Sequence, residues 1–121
     1  MLIIRESQMQ VFRDQQIQQF ANDRLSDLAD RFPGRFTELG EAGTMALVRS
    51  GVTKAFSFGI VGEAHVECVI DLMMRYGADF ELLEELSFAV EPLYDATLPA
   101  DARIPLALAR CGLTPGFREE I

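Results

Sequence analysis

Residues 44–80 read TMALVRSGVTKAFSFGIVGEAHVECVIDLMMRYGADF, and this stretch decides the fold class. Its first half sets Met45, Val48, Val52, Ala55 and Phe56 at three- and four-residue steps, and its second half sets Val66, Val69, Ile70, Met73 and Met74 the same way. That spacing lines one face of a helix, because a turn takes about 3.6 residues. Two helices are predicted, about 44–58 and 63–76, folded together about Phe58-Gly59-Ile60. Gly59 stands where a left-handed residue closes a helix, and so short a connection makes the helices near neighbours. Gly51 costs about 1 kcal/mol against Ala inside a helix, so its presence predicts close approach of a neighbour. Glu63 and Glu67 in the first turns of the second helix, and Arg75 in its last, complement the helix dipole.

Upstream, residues 6–31 hold neither Gly nor Pro. Met9, Phe12, Ile17, Phe20, Leu25, Leu28 and Phe32 line one side of a predicted helix, about 5–32, that Pro33-Gly34 ends. Six glutamines within Gln8–Gln19 suit water or a polar interface. Residues 35–43 read as a connection or short helical turn. Downstream, Phe80 is expected to tuck into the core, followed by a short helix at about 81–91 broken by Pro92. A last helix at about 99–111 opens on Pro99, carries Pro105 and stops before Gly112. The tail from Leu113 to Ile121 is expected to fray. The expected fold is all-α: residues 1–121 as a single compact bundle of about four to five helices.

Charge divides the chain. Residues 1–60 hold seven basic and seven acidic side chains, whereas residues 61–121 hold four arginines against twelve acids, which carry the whole net charge of −8. An acidic half repels phosphate, so nucleic acid is excluded as a partner. A basic protein surface would be attracted instead, although such a charge can serve solubility alone. No apolar run reaches the ~20 residues of a membrane span. Met1-Leu2-Ile3-Ile4, followed by Arg5 and Glu6, lacks the layout of a secretory signal, which points to the cytoplasm.

Reaction chemistry is sparse. His65 is the only imidazole, and Cys68, three residues on, could share its face as a weak Cys–His pair. A surface histidine beside a buried thiol explains both more simply. Two cysteines and one histidine give no zinc spacing, and Phe58-Gly59-Ile60-Val61-Gly62 matches no phosphate loop. Paired acids such as Glu63/Glu67 and Glu67/Asp71 follow from acidic composition. Asp71, surrounded by Ile70, Leu72 and Met73, needs a donor if buried, with Arg49 or Arg75 as candidates. No catalytic, cofactor-binding or metal-binding residue is therefore assigned. The candidate partner-binding residues are Asp79, Glu81, Glu84, Glu85 and Glu91, supplemented by Glu63 and Glu67. Reversal of Glu81, Glu84 and Glu85 to Lys is expected to weaken binding without unfolding the domain, although such a run can also be merely a solvated face.

Several segments together carry a resemblance. They are Gln8, Phe12 and Phe20, then Arg31-Phe32-Pro33, then Leu47-Val48-Arg49-Ser50-Gly51-Val52. Ala55-Phe56-Ser57-Phe58-Gly59-Ile60 with Glu63 follows, and then Ile70-Asp71-Leu72-Met73 with Gly77 and Phe80. Over residues 3–80 the chain resembles a group of small, largely uncharacterised helical proteins of Gram-negative bacteria. Those are often encoded beside spike (VgrG or PAAR) and effector genes of type VI secretion systems. The resemblance implies a cytoplasmic, non-enzymatic accessory role, as a co-chaperone or adaptor-like partner of an effector, its chaperone or the spike. It supplies no catalytic residues and no cofactor. The alternative in that setting is an immunity protein whose acidic half meets a basic toxin. The sequence sets no oligomeric state.

Overall fold

The hairpin forms because its two apolar stripes have only each other and their neighbours to hide against. The computed structural model of the chain describes residues 6–119, with side chains from Asp14 onward. Among these residues are five α-helices: α1 Glu6–Arg31, α2 Pro33–Ser57, α3 Glu63–Tyr76, α4 Ser87–Val90 and α5 Ala100–Arg110. The fold is an all-α bundle, with no strand among the described residues. The expected helix start at residue 5 and the side chains of Met9 and Phe12 lie outside what is described.

α1 packs along α2, α2 along α3, and α5 covers the far side of α3 together with the short turns around α4. The core runs through the hairpin: Val48, Val52, Ala55, Val66, Val69, Ile70, Met73 and Met74 are all buried. A Cβ on Gly51 would lie 2.7 Å from Ile70 Cγ1 and 3.1 Å from Met73 Sδ, so the bare backbone here lets α2 and α3 approach. The turn closes as a Schellman motif. Ile60 N donates to Ala55 O and Gly59 N to Phe56 O, both at 2.9 Å, with Gly59 at φ +76°. Arg103 of α5 ties the turn down by donating to Phe58 O.

Three expectations are corrected. First, α2 begins at Pro33, which suits an opening helical position, and it is interrupted at Gly40 (φ 73°, ψ 172°). The expected connection at 35–43 is therefore helical up to that break, and Thr44 bonds back to Gly40 O at 2.8 Å. Second, no single helix spans 81–91. Leu83 is extended (φ −71°, ψ 127°), which splits the segment into 3₁₀ turns at Phe80–Leu82, Glu84–Leu86 and Glu91–Tyr94 around the one turn of α4. Its buried Leu86, Ala89, Val90 and Leu93 keep the i, i+3, i+4, i+7 step of one helical face, but the extended Leu83 cuts the segment off upstream and Pro92 removes a donor downstream. Third, the tail is docked through Glu119. Glu119 N donates to Arg31 O at 2.8 Å, and Phe117 sets its ring edge-on to Phe32 at 5.7 Å.

Candidate protein-binding surface

Arg24 and Arg31 are seven residues apart on α1, two turns on one face. Facing them on α3 stand Glu63, Glu67 and Asp71, spaced by four. Arg24 bridges Glu63 and Glu67 and lays its guanidinium over the Phe20 ring at 4.2 Å. Arg31 reaches Asp71 with two prongs, Nη1 to Oδ2 at 3.0 Å and Nη2 to Oδ1 at 2.8 Å. It also donates through Nε and Nη2 to Asp27 Oδ2 at 3.0 and 2.7 Å and through Nη1 to Phe117 O at 2.9 Å. Those five bonds use the full donor set of a guanidinium. Burial opposes the Arg31 charge, but the bonds to Asp71 and Asp27 outweigh it and hold the group protonated above its ordinary range. Burial pushes the Asp71 carboxyl upward against the pull of Arg31.

The expected donors for Asp71 are thereby replaced. Arg49 lies exposed on α2, 3.4 Å from Gln18 Oε1. Arg75 stands over the rings of Tyr76 and Phe117, 5.4 and 5.8 Å from their centroids. The reach of α1 across the α2–α3 pair brings Arg31 to Asp71.

The seven candidate acids divide into two kinds. Glu63 and Glu67 are tied to Arg24, with side chains 70% and 38% exposed. The Glu81 side chain is only 8% exposed, and both its oxygens accept from Lys54 Nζ, which also stands 5.8 Å from the Phe80 ring. Glu81 is thus a structural ion pair and not a free contact, so the expectation that it can be reversed without unfolding is withdrawn. Asp79 is exposed, 3.9 Å from Lys54 Nζ. Glu84 and Glu85 are exposed, and Glu91 is exposed at 3.9 Å from Arg110 Nη1.

Between these acids the same segment exposes apolar side chains that the sequence reading did not single out. Leu82, Phe88 and Tyr94 are 75%, 63% and 60% exposed. Phe88 lies under the Arg110 guanidinium at 4.2 Å, and Arg110 also donates to Phe88 O at 2.8 Å. Tyr94 meets Phe58 edge-on at 5.2 Å. Its hydroxyl is pushed up by what burial it has and by the nearby Glu81 carboxylate. Both rings are fixed while keeping a free face. The missed signal was the apolar residues that interrupt the acidic run.

A second apolar surface opens between α1 and the α2–α3 turn. It is a groove of about 410 Å³ walled by Ile17, Phe20, Val52, Phe56, Val61 and Val66, with Gln16, Gln19, Asp23 and Glu63 as its polar lining.

The weak Cys–His pair gains nothing from the geometry. Cys68 is buried, and burial, with Asp71 and Glu67 adding to it, pushes its thiol up to about 11. That leaves it a packing residue at neutral pH rather than a nucleophile. Burial likewise raises the Cys111 thiol. Among the described residues no group of three or more His, Cys, Asp or Glu could hold a metal ion, and no helix is long and apolar enough to cross a membrane. Comparison with protein families, with characterised proteins and with solved structures finds no match to this chain.

Proposed function

We propose that this chain is a non-enzymatic, protein-binding accessory protein, a co-chaperone or adaptor-like partner acting in the cytoplasm. Its partner in this reading is a type VI secretion effector, that effector's chaperone or the spike. The observation that supports protein binding is the surface from Asp79 to Tyr94, where Leu82 is 75% and Phe88 63% exposed among the carboxylates of Glu84, Glu85 and Glu91. Large apolar side chains exposed in one segment and flanked by charge suit a surface that a protein partner covers. The choice of partner class rests on the sequence resemblance over residues 3–80. A second reading, an immunity protein, draws on the same exposed carboxylates, because an acidic surface steers association with a basic toxin.

The test is co-purification of the chain with the effector and spike components encoded beside it. Leu82→Asp and, separately, the double change Glu84→Lys/Glu85→Lys are each expected to reduce recovery about tenfold or more. Full recovery with both variants would sink the assignment of this surface. Growth rescue on co-expression with the effector favours the immunity reading. Altered effector stability or secretion without rescue favours the accessory one.

A further inference from the structure

We propose that the groove between α1 and the α2–α3 turn is a second docking site, distinct from the 79–94 surface. Its occupant is an amphipathic helix of a partner protein, with an aliphatic face and Lys or Arg at its flanks. The groove is built by three elements. Ile17 and Phe20 come from one face of α1, Val52 from α2, Val61 from the turn and Val66 from the first turn of α3. Val61 is 74% exposed, whereas its neighbour Ile60 is 1% exposed and anchors the turn in the core. The Schellman bonds and the Arg103 bond to Phe58 O hold that turn in place. The wall is therefore preformed, as binding grooves generally are.

The character of the occupant follows from what the groove offers. Among the described residues its lining includes the carboxylates Asp23 and Glu63 and no cationic side chain. The neighbouring cation Arg24 is shared between Glu63 and Glu67, so the balance among the described side chains here stays negative. A basic flank complements that charge. A second copy of this chain in an isologous contact would set acid against acid. The walls are helix faces whose backbone groups are already paired internally, and no strand edge is present among the described residues. An extended peptide would bury unpaired backbone here. A helix satisfies its own backbone and presents anchors at i, i+3/i+4 and i+7.

The test uses a fluorescein-labelled amphipathic helical peptide with Leu at i, i+3, i+7 and Lys flanks, and the same peptide with Glu flanks, titrated by fluorescence anisotropy at low and high salt. Saturable binding of the Lys-flanked peptide is expected, with the Glu-flanked one at least tenfold weaker. Val61→Asp, on an exposed turn position, should weaken binding at least tenfold. Asp23→Lys should weaken it severalfold at low salt and less at high salt. Circular dichroism melts check that each variant is folded, and Asp23→Lys decides if Val61→Asp is not. Absence of saturable binding, equal affinity for both peptides, or indifference to the variants overturns the proposal. So does binding that appears only in a chain starting at Glu6, which would make the chain's own first residues the occupant. Loss of peptide binding on Leu82→Asp alone would overturn it too, placing the peptide on the 79–94 surface and leaving the proposed function standing.

Discussion

The seam between α1 and α3 and the surface from Asp79 to Tyr94 are both rich in charge, and they use it differently. In the seam, Arg31 and Asp71 have side chains 10% and 4% exposed, and every donor of the guanidinium finds an acceptor. On the surface, Glu84 and Glu85 are exposed, in the same segment as the exposed Leu82. A buried pair is costly to desolvate, so it persists where complete bonding offsets the cost. An exposed carboxylate costs almost nothing to keep and almost nothing to lose. The position of a charge, and not its abundance, thus separates structure from candidate function. Glu81 is the informative exception, a member of the acidic run that behaves like the seam.

Breaking the seam should give the largest effect. Arg31→Ala strands a buried carboxylate at Asp71, frees Asp27 and removes the donor to Phe117 O. The expected loss is about 3–5 kcal/mol of unfolding free energy, read as a lowered urea midpoint. Adding Asp71→Leu to Arg31→Met should recover most of that loss, because an apolar pair of similar volume needs no partners. If Arg31→Ala changed stability by under about 1 kcal/mol, the seam would be no more than a surface bridge.

The comparison sharpens inside the acidic run itself. Glu81→Ala removes a buried partner of Lys54, whose side chain is itself only 15% exposed, and should cost about 2 kcal/mol. Glu84→Lys/Glu85→Lys should stay within about 0.5 kcal/mol of the parent chain, as exposed substitutions do. Equal effects from the two variants in thermal or urea unfolding would erase the distinction between them.

Much of the fold was legible because it is written locally. The hairpin's apolar stripes have a helical period, Gly59 marks the turn, and Gly51 announced a close contact that the Ile70 and Met73 side chains make. The site was less legible, for physical reasons. Periodicity says which face of α3 carries Asp71 but not which neighbouring helix supplies its cation. The one available clue was the seven-residue step from Arg24 to Arg31 set against the four-residue steps from Glu63 to Asp71. Burial of Glu81 could not be read locally, because a 3₁₀ turn between Phe80 and Leu82 has no amphipathic period to break. The tail's place at the end of the chain suggested fraying. Its docking depends on partners more than eighty residues away, such as Phe117 O with Arg31.

That tail supplies the smallest expected loss of stability and the finest test of the comparison, since Glu119 lies between the buried pair and the near-neutral exposed acids. It is partly buried, and its carboxylate accepts from Gly34 N at 2.9 Å and Arg35 N at 3.0 Å, the first free donors of α2. A carboxylate there satisfies orphan N–H groups and complements the positive end of the helix. Phe32, which stands at the cap position, makes no side-chain cap bond of its own. Glu119→Ala should therefore cost about 1 kcal/mol, and Glu119→Gln less, because the amide oxygen can still accept one bond. Hydrogen exchange should show the loss at the Gly34 and Arg35 amides while leaving the Asp79–Tyr94 amides unchanged. If those two amides exchange no faster in Glu119→Ala, the tail is held without the Glu119 carboxylate, and Glu119 belongs with the exposed acids.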